Sequence, residues 1–97
     1  MSETNFEVEG NRIRLPSEVT FYDAASLCKS VPIIFPHADS VVIDLASVKH
    51  ADSAALVVLL SLLREAKKQN KKIVFENTPS ELAILINLYR LDNLIGG

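Results

Sequence analysis

Hydrophobic and polar residues alternate at the start of the chain. Residues 6–9 are Phe-Glu-Val-Glu and residues 12–15 are Arg-Ile-Arg-Leu, with Gly10 and Asn11 between them. A period of two on both sides of a Gly-Asn pair predicts a β-hairpin of two short strands, each with one face in solvent. Pro16 is expected to end the second strand, because proline lacks the N–H that a sheet ladder requires.

Apolar residues next recur at the spacing of an amphipathic helix. Thr20, followed three residues later by Asp23, matches a capping box at the amino end of this helix. The apolar positions that share one face are Phe21, Ala24, Ala25, Cys28 and Val31. Pro32 is predicted to end the helix, and residues 36–40 to form a loop.

A nearly continuous apolar run follows at residues 41–45, which are Val-Val-Ile-Asp-Leu. Its β-branched composition predicts a strand that is buried on both faces. After a loop at residues 46–51, the spacing predicts a second helix over about residues 53–69. Residues 73–75, Ile-Val-Phe, predict another short strand.

The last predicted element begins at a helix-start signal. Residues 78–81, Thr-Pro-Ser-Glu, supply an N-cap, a proline at the first helical position and a capping glutamate. This helix is expected to run to about Tyr89 or Arg90. The order strand, helix, strand, helix predicts an α/β fold with a right-handed parallel crossover. Since 48% of the 97 residues are hydrophobic, residues 1–97 are predicted to form a single domain with its own core.

The second helix divides clearly into a core face and an outer face at about 100° per residue. The predicted core face holds Ala55, Leu56, Leu59, Leu62, Leu63 and Ala66, and the outer face holds Ser53, Ala54, Val57, Ser61, Arg64 and Lys68. Leu60 lies at the border. The outward Val57, beside Leu60 and between small Ala54 and basic Arg64, fits either an ordinary exposed position or a docking surface.

The third helix is apolar around most of its circumference. Leu82, Leu85, Ile86 and Tyr89 form one stripe, and Ile84, Leu88 and Leu91 form a second. A helix that is apolar on two sides is expected to be covered on both. Either residues 91–95 fold back over the second stripe, or a partner covers it, which makes a homodimer possible.

Composition and charge exclude several classes of protein. The net charge is −2, and no apolar run approaches the ~20 residues of a membrane span. Five of the ten basic residues lie between Arg64 and Lys72, but no aromatic residue is interleaved with them. A solvated helix end is therefore favoured over contact with an acidic surface, and no nucleic-acid partner is expected. The single cysteine and the lack of a signal-peptide pattern predict a cytoplasmic protein.

Few residues could carry catalysis. His37, His50 and Cys28 lack metal-ligand spacing, and no Gly-rich phosphate loop is present, so neither a metal nor a cofactor is predicted. His50, Asp52 and Ser53 are the residue types of a hydrolase triad. In a triad the base and its orienting acid must be arranged in space around the nucleophile, and three residues within one tight loop rarely reach that arrangement. No catalytic residue is therefore predicted, and the chain is expected not to be an enzyme.

Asp52 and Ser53 stand at the start of the second helix. Either side chain can cap the free N–H groups of the first turn, and the spacing alone favours this role. The same end of a helix stabilises negative charge, so a phosphate on Ser53 would be tolerated there. A cap and a phosphorylation site are the two interpretations of this pair.

Residues 41–56, VVIDLASVKHADSAAL, resemble the signature of the STAS domain (sulphate transporter and anti-sigma factor antagonist). They match an apolar strand ending in Ile-Asp-Leu, a spacer, and an Asp-Ser pair that opens a helix. The resemblance runs from about Val8 to Ile95. Residues 63–69 and 88–91 are similar to one branch in particular, the MlaB-type subunits of bacterial phospholipid-trafficking ABC transporters.

The resemblance implies a mixed sheet of four to five strands packed against helices, without catalytic activity or cofactor. It also implies an adaptor that binds the cytoplasmic ATPase subunit, supports transporter assembly and activity, and meets the inner membrane only through that partner. In the MlaB-type branch, the position that Ser53 matches lies in the surface that contacts the ATPase subunit. The partner-binding residues predicted from the resemblance and the outer face together are Asp52, Ser53, Ala54, Val57, Leu60 and Arg64.

A second branch of the family implies an alternative. In anti-sigma factor antagonists, the position of Ser53 is the serine that a partner kinase phosphorylates. Ala55 stands where the family has glycine. A small residue suffices on the core face, so the fold is unaffected, whereas loss of the glycine bears on the loop beside Ser53 and counts against a phosphorylation switch.

Overall fold

The computed structural model describes residues 5–88. The elements, in chain order, are β1 (Glu7–Glu9), β2 (Arg12–Arg14), β3 (Glu18–Val19), α1 (Phe21–Ile34), β4 (Ser40–Asp44), β5 (His50–Ala51), α2 (Ala54–Lys68), β6 (Lys72–Glu76) and α3 (Ser80–Leu88). The predicted end of the third helix at Tyr89 or Arg90 and the apolar tail at residues 91–95 lie outside the described residues. None of the helices described has the length and hydropathy of a membrane span.

Four strands form one mixed sheet in the order β1-β2-β4-β6. The hairpin of β1 and β2 is antiparallel and turns at Gly10, whose φ of 61° lies in the left-handed region that favours glycine. Strands β2 and β4 are parallel, and so are β4 and β6, with α2 in the connection between the last two. The predicted α/β fold, a mixed sheet of four to five strands packed against helices, is confirmed, and residues 5–88 hold a mixed sheet of four strands and three helices.

One face of the sheet and the inner faces of the helices enclose a hydrophobic core. Ile13, Val41 and Ile43 contribute from the sheet and are fully buried. The buried residues of α2 are Ala55, Val58, Leu59, Leu62, Leu63 and Ala66. They match the predicted core face except that Val58 is buried and Leu56 is only half-buried. Helix α2 is therefore the central helix of the core, with its outer face available to solvent.

The other face of the sheet carries charges. Arg12 lies 2.9 Å from both Asp44 and Glu76, and Arg14 lies 3.6 Å from Asp44 and from Glu7. The prediction that residues 41–45 are buried on both faces by apolar packing is therefore only half right. Val41 and Ile43 lie in the core, whereas Val42 is half-buried on the charged face.

Helix α1 corrects two predictions. Pro32 lies inside it, and the helix ends at Ile34, followed by an extended Phe35. The residue that precedes a proline disfavours the helical region, so Pro36 rather than Pro32 ends this helix. Ala25 and Phe21, both predicted to face the core, are exposed. The core positions of α1 are Ala24, Leu27 and Val31.

Helix α3 shows both predicted stripes as far as it is described. Leu82 and Ile86 are buried and Leu85 packs partly against the core. Ile84 and Leu88, from the second stripe, are exposed among residues 5–88. The helix therefore contributes one apolar side to the core, and its other apolar side is exposed among residues 5–88.

Candidate functional site

A second, two-stranded sheet brings the amino ends of α1 and α2 together. In it β3 is parallel to β5, with Val19 opposite Ala51. The carbonyl oxygen of Ser17 also accepts the N–H groups of Lys49 and His50, at 2.8 and 3.0 Å. Because β3 leads into α1 and β5 leads into α2, this pairing makes the two helices begin side by side. Neither short strand is predicted from the sequence, where residues 46–51 look like loop.

Asp52 joins the two helix starts. Its Oδ1 accepts the N–H of Ala54 at 2.8 Å, and its Oδ2 accepts the N–H of Phe21 at 3.1 Å. The first N–H groups of a helix have no partner within the helix, so one carboxylate satisfies a donor of each. Its negative charge also lies at the positive ends of two helix dipoles. Of the two capping candidates in the sequence, Asp52 is the one that caps.

Ser53 leaves its side chain in solvent at the start of α2. It occupies the N-cap position but makes no capping hydrogen bond through its hydroxyl. One turn further along, Val57 is 56% exposed. Arg64 is exposed as well, while Ala54 and Leu60 are partly buried. The predicted partner-binding residues thus form an outward ridge that extends about 16 Å along α2. That a partner binds there stays a prediction.

Two exposed aromatic side chains extend this ridge onto α1. Phe21 is 75% exposed and Tyr22 is 91% exposed, with their rings edge to face at 5.9 Å between centroids. The sequence does contain a signal for such a pair. Neighbouring helical residues point about 100° apart, so two adjacent aromatics cannot both face one core. We call the exposed region at both helix starts the amino-end surface; its residues are Phe21, Tyr22, Asp52, Ser53 and Val57.

Cys28 lies where α1 packs against α2. It is partly buried, with its Sγ 3.9 Å from the carbonyl oxygen of Val57. It therefore lies at the edge of the predicted core face of α1, with its thiol directed to the main chain of α2. This contact ties the middle of α1 to the same turn of α2 that presents Val57 to solvent.

The triad residue types are not arranged as a triad. His50 belongs to β5, and both oxygens of Asp52 accept main-chain N–H groups, so this carboxylate is committed to the two helices. His37 lies in an exposed position between α1 and β4. The arrangement stabilises the two helix starts and does not orient a histidine towards Ser53.

Asp44, from the Ile-Asp-Leu segment, is buried to 4% exposure at the end of β4. It accepts hydrogen bonds from the Ala46 N–H at 2.9 Å, the Asn77 amide at 3.1 Å and the Arg12 guanidinium at 2.9 Å. Together these bonds lower the pKa of Asp44 from 3.8 to about 2, and the bond from the Ala46 N–H contributes most. This carboxylate stays ionised near neutral pH and fixes the loops that follow β4 and β6.

The order of strands, the Asp44 anchor and the Asp52-capped start of α2 define a domain of the STAS class. A family model described as "Mlab, STAS domain" matches residues 2–96, and the chain belongs to this family. A solved structure titled "Crystal Structure Analysis of Mglu" is similar in fold, with a TM-score of 0.59 and 19% identity. That similarity covers 77% of this chain and 19% of the other. No curated protein matches the chain.

Family and fold together support a STAS-type regulatory or adaptor protein. The similarity to the solved structure concerns the fold alone, since the identity is low and this chain spans a small part of that protein's length. The position of Ala55 agrees with the expectation drawn from the sequence: its side chain is fully buried, where a small residue is sufficient for packing.

Proposed function

We propose that the chain is a non-enzymatic adaptor that binds the ATPase subunit of a phospholipid-trafficking ABC transporter through its amino-end surface. Binding would support the assembly and the activity of the transporter. Membership of the Mlab family supports this kind of assembly. The observation that carries the proposal is the exposure of Ser53, whose hydroxyl is free of any capping bond at the start of α2.

The composition of the amino-end surface supports binding to a protein. Phe21, Tyr22 and Val57 are large apolar or aromatic side chains held in solvent, and aromatic residues are common anchors of protein interfaces. Both helix starts are fixed by the β3–β5 pairing and by Asp52. A surface that is ordered before binding loses less entropy on association.

The chemistry of the acidic residues supports a role without catalysis. Asp52 is engaged by two main-chain N–H groups, and the lowered pKa of Asp44 leaves it no proton to donate near neutral pH. The proposed mechanism is therefore binding alone, with no cofactor. The chain would act in the cytoplasm and reach the inner membrane only through the ATPase subunit.

Co-purification with the ATPase subunit encoded in the native host tests the proposal. Ser53→Glu introduces a charge and Val57→Arg a long side chain on the ridge, so each should lower the amount of co-purified ATPase at least about tenfold. Circular dichroism should show both variants folded, because both positions are exposed.

Matched controls are offered by the chain itself. Ser80→Glu changes an exposed serine at the start of α3, and Ile33→Arg changes an exposed aliphatic residue at the far end of α1. Both controls should co-purify as the unmodified chain does. Equal co-purification by Ser53→Glu, Val57→Arg and the controls would refute the amino-end surface as the ATPase contact.

The same exposed hydroxyl favours one second function, that of an anti-sigma factor antagonist regulated by phosphorylation at Ser53. The two functions differ in partner and in covalent state. Mass spectrometry of the chain isolated from its host would show unmodified Ser53 and a bound ATPase for the adaptor. Phosphorylated Ser53 together with a bound kinase would favour the antagonist.

A further inference from the structure

Among residues 5–88, strand β6 is the last strand on one side of the four-stranded sheet. It is parallel to β4, where the N–H of Lys72 donates to Asp39 at 2.9 Å and the carbonyl of Glu76 accepts from Leu45 at 3.0 Å. In a parallel pair, alternate residues of a strand direct their main-chain groups to the same neighbour. Residues 72, 74 and 76 therefore bond towards β4.

The remaining main-chain groups of β6 point away from the sheet. They belong to Ile73 and Phe75, whose side chains lie on the core side of the strand, where Ile73 is buried and Phe75 partly buried. The edge thus presents two N–H and two C=O groups in the arrangement that another strand can bond. An extended segment placed beside β6 would continue the sheet.

The sequence of β6, Lys-Ile-Val-Phe-Glu, is complementary to itself in the antiparallel direction. When two copies are centred on Val74, Lys72 of each lies opposite Glu76 of the other, and Ile73 lies opposite Phe75. Opposite charges placed directly across an antiparallel pair are favourable. The register that satisfies the outward main-chain groups is therefore the same register that pairs the charges.

The other edge of the sheet lacks this property. Strand β1 is Glu-Val-Glu, so antiparallel pairing of two copies of β1 would place glutamate against glutamate. Like charges directly opposite each other disfavour pairing. On β6, by contrast, Lys72 is exposed and Val74 is 47% exposed, so both are accessible to a second strand.

We propose that two copies of this chain associate through antiparallel pairing of β6, with a two-fold axis at Val74. Ile73 and Phe75 exchange main-chain hydrogen bonds across the axis, and Lys72 pairs with Glu76 of the second copy on the charged sheet face. The contact is one strand wide, so the dimer is weak and its population rises with concentration. This interface is independent of the amino-end surface and of the proposed function.

A disulfide trap tests both the dimer and its register. Val74→Cys, made in the full chain with Cys28→Ser, places two thiols across the axis at a non-hydrogen-bonded pair, where Cα atoms lie about 4.5 Å apart. That distance lies within disulfide range. Mild oxidation at high protein concentration should cross-link most of the chain, as seen on a non-reducing gel.

The register control is Lys72→Cys in the same background. In the proposed register, the two cysteines at position 72 lie about 13 Å apart along the paired strands, too far for a disulfide. Cross-linking of Val74→Cys well above Lys72→Cys supports the proposal. Equal cross-linking of the two, or none in Val74→Cys, would overturn it.

Sedimentation equilibrium of the unmodified chain provides a measurement without cysteine chemistry. The dimer fraction should rise with concentration, and Lys72→Glu should weaken dimerisation about tenfold, because it turns both ion pairs into repulsions. Lys49→Glu, at an exposed position outside β6, should leave it unchanged. A monomer throughout the concentration series, or equal effects of the two variants, would overturn the proposal.

Discussion

The carboxylate of Asp52 accepts the first main-chain N–H of helix α1, from Phe21, at 3.1 Å. The two residues are 31 positions apart in the chain, and the contact links the start of α1 to the start of α2. As a result the exposed aromatic pair on α1 and the exposed Ser53 on α2 belong to one fixed surface. The proposed partner-binding surface is therefore formed by residues from the starts of both helices.

The Asp52 contact predicts a specific loss of stability. Asp52→Ala removes the acceptor for the N–H groups of both Phe21 and Ala54, so the free energy of unfolding should fall by about 1 to 2 kcal/mol. Urea unfolding followed by circular dichroism measures this change. Ser53→Ala is the matched control and should unfold like the unmodified chain, because the Ser53 hydroxyl makes no capping bond. An equal loss in Ser53→Ala would contradict the assignment of the cap to Asp52.

Tyr22 is predicted to contribute to partner binding without contributing to stability. It is 91% exposed, so Tyr22→Ala should leave the urea midpoint unchanged, while its loss from the interface should lower affinity for the ATPase subunit about tenfold or more. Ile33→Ala is the control, since Ile33 is 82% exposed at the opposite end of the same helix. Surface plasmon resonance against the purified ATPase would compare the two. Equal affinities would remove Tyr22 from the proposed surface.

Much of the fold follows from local patterns in the sequence. The hairpin, the strand near residues 41–45, most of the core face of α2 and the start signal of α3 depend on spacing within a short segment. The structure places these elements close to their predicted bounds. The carboxyl end of helix α1 does not follow from a local pattern. Two prolines, Pro32 and Pro36, could each end it, and the one that does so acts through the extended conformation of Phe35 before it.

The predicted site is incomplete for a different reason. Residues 53–64 share one helix, so their common face can be derived from helical geometry alone. The aromatic pair joins them through β3 and β5, two-residue strands whose pairing spans 32 positions from Glu18 to His50. Strands this short carry no periodicity, and a contact between distant segments leaves no trace in local spacing. Two adjacent aromatics indicate that at least one side chain points outward, whereas their position beside the start of α2 follows from the pairing of β3 with β5.

The buried carboxylate of Asp44 predicts how stability depends on pH. Its pKa is about 2 in the folded chain against an ordinary 3.8, so the proton binds more tightly to the unfolded chain. The stabilisation from Asp44 is therefore complete above about pH 5 and is lost as the pH falls towards 2. Asp44→Asn should cost about 2 kcal/mol at pH 7, because it removes the charge that Arg12 and the Ala46 N–H stabilise.

Comparing the unmodified chain with Asp44→Asn across pH separates the titration of Asp44 from that of the other carboxylates. The difference in free energy of unfolding between the unmodified chain and Asp44→Asn should shrink as the pH falls from 5 towards 2. Urea unfolding at a series of pH values measures it. A difference that stays constant over this range would show that Asp44 titrates at its ordinary pKa in the folded chain.

Asn77 combines a left-handed backbone with a hydrogen bond to Asp44, and two substitutions separate these contributions. Its φ is 58° and its amide donates to the Asp44 carboxylate at 3.1 Å. Asn77→Gly keeps the backbone conformation and loses the bond to a charged group, so it should cost about 1 to 2 kcal/mol. Asn77→Ala also removes the short polar side chain that lets asparagine adopt the left-handed region, so it should cost about 1 kcal/mol more than Asn77→Gly.

Asn70 is the matched control, because it has the same φ of 58° after the end of α2 but lies away from Asp44. Asn70→Gly should leave the free energy of unfolding nearly unchanged, while Asn70→Ala should show the backbone cost alone. Urea unfolding of the four variants measures both contributions in one series. If Asn77→Gly proved as stable as Asn70→Gly, the amide would add nothing to the anchoring of Asp44. The loop after β6 would then be held by its main chain and by the packing of α3.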